Sequence, residues 1–137
     1  MKTLSIALGI LLGAAAAVAH AEPVLAANSK FSGQLLDGDA VKAVLLGKRV
    51  TLGDTRIVLV IAKTSAAQDA FLKEAVAMTT SQFQNHWRRL FMTGGGSAPK
   101  IVETEEDACK LVAETPGAVA LTDRAKCGGL VVLAATK

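Results

Sequence analysis

Apolar positions along this chain fall into three patterns: an unbroken block near the start, short β-branched runs, and stripes at helical spacing. The block is Leu4 to Val18, which carries no charge. Val24 to Ala27 is a short apolar run suited to an edge or first strand. Asp37 stands where it can cap a helix whose Val41, Val44 and Leu45 share one face, and Gly47 ends that pattern. Gly53-Asp54 marks a turn. Arg56-Ile57-Val58-Leu59-Val60-Ile61 is the strongest strand signal, and its continuous apolar character suits a strand buried on both faces.

Helical spacing dominates the middle of the chain. Ser65 and Gln68 have the spacing of a capping box, and Ala67, Phe71, Ala75 and Met78 form the buried stripe behind it. Thr79 and Gln82 repeat the capping pattern. The helix they open places Phe83, Trp87, Leu90 and Phe91 together, and Gly94 to Gly96 stops it. Thr104 is the expected cap of a last helix, with Glu105, Glu106 and Asp107 in the first turn, where the dipole favours acid. Ala108, Leu111 and Val112 face inward, and Pro116-Gly117 ends the run. Ala118 to Leu121 and Leu130 to Ala134 close the chain as two strands. Strands alternating with helices predict an α/β domain with a mixed, mostly parallel sheet and flanking helices.

The apolar block changes what counts as the domain. Lys2 supplies a positive n-region, and Ala19-His20-Ala21 offers the small-x-small pattern of signal peptidase, so residues 1–21 are expected to be a cleaved signal peptide. The alternative is a retained N-terminal anchor. Residues 22–137 then make a single domain. Removing Lys2 leaves fourteen basic residues against twelve acidic ones, a net charge of +2 instead of +3. No run of Lys or Arg exceeds two residues, which disfavours a nucleic-acid partner. The mean hydropathy of +0.40 is raised by the leader, and no later segment is apolar enough to span a membrane. Export places Cys109 and Cys127 in an oxidising compartment, where a disulfide is expected. Two separately buried thiols are the alternative.

Candidate chemistry is sparse. His86 is the only histidine after the leader, and it flanks the Phe83/Trp87 stripe, where a structural role is expected. No carboxylate pairing or metal-ligand spacing appears, no cofactor is implied, and the chain is read as a non-enzyme. Lys63-Thr64-Ser65 lies between the strongest strand and a helix start, where free amides and a hydroxyl can receive an oxyanion. Ser65 acting only as a helix cap is the competing reading. Arg88 and Arg89 project about 100° apart on one helix and are read as solvated charge. Gly94 to Gly96 is either an amide-lined nest or an ordinary helix-to-loop turn.

Several segments occur in the order of a known family. Leu45-Leu46-Gly47-Lys48 resembles a phenylalanine-leucine-glycine-lysine helix end, and Arg56-Ile57-Val58 a core strand. Ser65 with Phe71-Leu72, Gln82-Phe83, Trp87-Arg88-Arg89, Thr93-Gly94 and Thr115-Pro116-Gly117-Ala118 follow in register. Together they resemble small relatives of the phosphate-binding proteins of ABC transporters, and imply one lobe of a type II periplasmic binding protein. The resemblance implies a periplasmic or secreted protein that holds inorganic phosphate or a similar oxyanion without chemistry, at Thr64, Ser65 and Ala66, and meets a transporter permease. The sequence departs from the family pattern in three places, one being Ala120-Leu121 where glycine-tyrosine commonly follows the proline-glycine motif. Gln68 stands where many relatives carry arginine, and Thr64-Ser65-Ala66 replaces a longer glycine-serine-glycine-threonine loop. A cell-envelope interaction module that kept the lobe and lost the ligand is the alternative function.

Overall fold

Local capping chemistry starts each helix where the sequence pattern puts it. The computed structural model describes residues 22–95 and 97–136, so the expected signal peptide at 1–21 lies outside the described residues. Helix α1 (Gly38–Leu45) opens behind Asp37, whose Oδ1 accepts the Ala40 N–H at 2.8 Å. Helix α3 (Thr80–Met92) carries a complete capping box between Thr79 and Gln82, and α4 (Glu105–Glu114) is capped by Thr104. Helix α2 (Ala66–Val76) departs from expectation. Ser65 Oγ accepts the Gln68 N–H at 3.1 Å, but the Gln68 side chain does not return to Ser65. It reaches the strand end instead, accepting the Ala62 N–H at 3.0 Å and donating to the Ala62 carbonyl at 2.8 Å.

The strands are β1 (Pro23–Ala27), β2 (Thr51–Leu52), β3 (Thr55–Arg56), β4 (Val58–Ala62), β5 (Lys100–Val102), β6 (Ala118–Asp123) and β7 (Val131–Ala135). Five of them form one sheet in the order β5-β4-β6-β1-β7, and β2-β3 is a separate hairpin across Gly53-Asp54. β4 pairs parallel with both β5 and β6, while β1 runs antiparallel to β6 and β7. Four of the five strands therefore point the same way, as the α/β reading expects. β1 is not an edge strand: it lies between β6 and β7, and Val24 to Ala27 are all buried. The sheet edges are β5 and β7.

Side-chain alternation along β4 and β6 sorts the core into two layers. Leu59, Ile61, Val119 and Leu121 face Val41 and Leu45 of α1, Phe71 and Leu72 of α2, and Phe83 and Trp87 of α3. Val60, Ala118 and Ala120 face Ala108 and Val112 of α4 on the other side. The alanines on that second face let α4 approach the sheet closely. Phe91 breaks the expected stripe and is 56% exposed, because Trp87 and Leu90 already cover the face that meets Gly47. Both α1 and α3 end in Schellman turns, with Gly47 and Gly94 at positive φ. Gly117 also has φ +82, and a Cβ there would lie 2.3 Å from the Arg56 carbonyl oxygen. Only glycine fits so close a crossing between the α4–β6 turn and the entry to β4.

Candidate functional site

Parallel strands deliver their carboxyl ends, and the helix starts that follow, to one side of the sheet. In open α/β sheets that side is where ligands gather. Here β4 leads into Lys63-Thr64-Ser65 and the start of α2, while β5 leads into Glu103-Thr104 and the start of α4. Thr64, Ser65, Ala66, Thr104, Glu105 and Lys126 line a recess of about 370 Å³ between them. The structure thus brings the three expected binding residues to a recess flanked by two helix N-termini. Thr64 and Ala66 are exposed, and Ser65 is buried.

A carboxylate already sits in this corner. Glu105, the first residue of α4, is only 4% exposed. Its Oε1 accepts the Asp123 N–H at 2.6 Å and the Ser65 hydroxyl at 3.4 Å, and its Oε2 lies 3.1 Å from Lys126 Nζ. The hydrogen bond and charge of Glu105, followed by the charge of Glu106, raise the Lys126 pKa above the ordinary lysine value. The sign follows from linkage. A raised folded-state pKa contributes stability below the unfolded value, and that contribution fades as pH rises through the folded one. About half of the Lys126 side chain is in solvent, which screens the effect.

Glu105, Asp123 and Lys126 were not among the expected site residues. The dipole rule accounts for Glu105 as one of three first-turn acids, which hides its separate role. One signal was present. The Cys109–Cys127 disulfide, with Cα atoms 5.4 Å apart, ties the second turn of α4 to the residue after Lys126. A reader who pairs those cysteines has also placed Lys126 beside the first turn of α4.

The other candidates are spent on structure. Gln68 is buried and fills the place of a strand partner: β4 pairs with β6 only as far as Val60↔Ala120, and Gln68 satisfies the Ala62 amide groups beyond it. His86 Nε2 bonds the Leu46 carbonyl at 2.9 Å, and Trp87 Nε1 donates to the Leu45 carbonyl at 2.9 Å. Arg88 and Arg89 are exposed on α3. The Gly94 and Gly95 amides donate to the carbonyls of Phe91 and Leu90, so neither is offered to an anion. Gly96 lies outside the described residues. Among the described residues, no helix is long and apolar enough to cross a membrane.

No protein-family model and no curated protein matches the chain. Among solved structures it is similar to an ABC-type phosphate transport receptor from Vibrio cholerae, with a TM-score of 0.54 and 10% sequence identity. The match covers 82% of this chain and 45% of the receptor, so the chain spans less than half that protein's length. At this identity the likeness is one of fold alone: an α/β domain that matches just under half of that receptor in extent.

Proposed function

We propose that this chain is an exported, solute-binding-like lobe related to phosphate uptake, holding a small oxyanion at Thr64-Ser65-Ala66 without chemistry and presenting it to an ABC-transporter permease. The observation that carries this reading is that the corner already receives an anion: backbone, hydroxyl and ammonium donors converge on the Glu105 carboxylate. A free oxyanion therefore competes with Glu105, and its affinity falls below that of a site whose donors are vacant. Export has support at the same corner. The Glu22 nitrogen lies 3.4 Å from Asp123 Oδ1, so cleavage after Ala21 would put a new α-ammonium beside that carboxylate.

The completeness of the Glu105 contacts also favours a second reading, an envelope interaction module that kept the lobe and filled its anion corner internally. Calorimetric titration of the mature protein with phosphate and sulfate separates the two. Millimolar or tighter binding that weakens in Ser65→Ala supports the first. A wild-type protein that ignores both anions leaves the second.

A further inference from the structure

The opposite end of β4 carries a cavity that oxyanion binding does not use. It has a volume of about 240 Å³ and is walled by Val44, Leu59, Ile57 and the ring of Trp87. Among the described residues, every charged residue in its lining is a cation: Arg49, Arg56 and Lys100. Arg56 donates to the Ser97 hydroxyl, and Arg49 Nε donates to the Thr51 carbonyl at 3.3 Å. Among the described residues, each guanidinium thereby commits one of its five donors. Trp87 lines the cavity while its indole nitrogen donates to the Leu45 carbonyl.

We infer that this cavity is a binding site for a small organic anion, an aromatic or branched aliphatic body carrying one carboxylate. Size, wall and charge each contribute. An apolar cavity of about 150 Å³ accommodates benzene, so this one has room for a ring and a carboxyl group. The apolar walls take the body by the hydrophobic effect. The planar guanidiniums of Arg49 and Arg56 at the rim suit a carboxylate, which arginine binds through paired hydrogen bonds. Inorganic phosphate lacks the body and leaves the wall unfilled. The site shares no lining residue with the Ser65 recess, so the two stand or fall separately.

Trp87 is the chain's only tryptophan, which makes its fluorescence a direct reporter. Titration of the purified protein with benzoate should change that emission saturably, with half-effect in the low millimolar range or below. Benzyl alcohol, of the same shape without the charge, should need at least tenfold more, and benzylamine and inorganic phosphate should leave the signal unchanged. Arg49→Gln/Arg56→Gln alters two exposed side chains and should weaken benzoate at least fivefold while the melting temperature stays within two degrees. Emission that falls linearly with benzoate, or an equal response to benzyl alcohol, overturns the proposal. So does a double variant that folds and binds benzoate as wild type does.

Discussion

The two ends of β4, roughly 15 Å apart at the rise of a strand, solve opposite electrostatic problems. At the amino end, Arg49, Arg56 and Lys100 line a cavity with apolar walls and, among the described residues, no carboxylate in its lining. At the carboxyl end, amide and hydroxyl donors and Lys126 converge on a buried carboxylate supplied by the chain itself. The geometry suited to anions is thus at one end, and positive charge with no carboxylate partner among the described residues at the other. Helix N-termini alone do not make a vacant anion site, because a first-turn acid can fold back and satisfy the same donors. Burial decides which case applies: Glu105 is 4% exposed, whereas Glu106 beside it leaves most of its side chain in solvent.

The largest effect should come from the floor of the amino end. Trp87 packs on the Gly47 turn, stacks edge-on to Phe83 and His86, and donates its indole N–H to Leu45. Trp87→Ala should cost about 3–5 kcal/mol, measured by urea unfolding followed by circular dichroism. A variant that melts within a degree or two of wild type would mean that the cavity wall is not part of the core.

Next in size is the disulfide that secures the carboxyl end. Closing its 18-residue separation should contribute about 3 kcal/mol in the chain-entropy model. Intact mass should rise by two daltons on reduction, and the reduced protein should unfold at lower urea. The comparison sharpens if reduction also loosens Lys126 from Glu105 while the benzoate response at the far end is retained. Equal damage at both ends would mean that the bridge supports the whole domain and not one corner.

These contrasts also explain what the sequence made legible. Caps at Asp37, Thr79, Ser65 and Thr104 are local, three residues deep, and each was readable as such. The family-like segments turn out to be packing motifs that meet in space. Gly47 lies against Trp87 and Leu90, and Gly117 lies against Arg56, so their joint order reports the fold. Strand order was not legible, because β1 joins β6 and β7 from 90 or more positions away and no local pattern announces an interior antiparallel strand. The site was half legible. Ser65 lay at a strand-to-helix junction, but its partner Glu105 comes from 40 positions on. Phe91 was misplaced because helical spacing identifies a shared face without saying how wide the covered stripe is.

Glu105 is the next lever on the comparison. Glu105→Ala removes the acceptor of the Asp123 N–H and the partner of Lys126, and should cost about 1–3 kcal/mol, chiefly from the stranded amide. Glu105→Gln keeps an acceptor while removing the charge, so it should be milder. If the native carboxylate competes with free oxyanion, Glu105→Gln should bind phosphate at least tenfold more tightly than wild type by calorimetry. Unchanged affinity in a folded variant would show that Glu105 occupies its own niche and does not compete.

The smallest stability effect belongs to Ser65, and it asks whether the hydroxyl serves the helix or a ligand. Its Oγ accepts the Gln68 N–H at 3.1 Å, an N-cap bond whose loss costs about 1 kcal/mol. Its own proton points to Glu105 across 3.4 Å, a long contact that adds little in that arrangement. Ser65→Ala should therefore lose about 1 kcal/mol by urea unfolding whether or not an anion binds. Ser65→Asp separates the roles, because aspartate is as good a cap as serine but sets a second carboxylate against Glu105. If capping is the only function, Ser65→Asp should lose stability through that repulsion while phosphate binding is absent in every variant. If Ser65 donates to an oxyanion, Ser65→Ala should weaken phosphate measurably and Ser65→Asp should abolish it. Retention of wild-type phosphate affinity in both variants would remove Ser65 from the binding site and leave it as a cap.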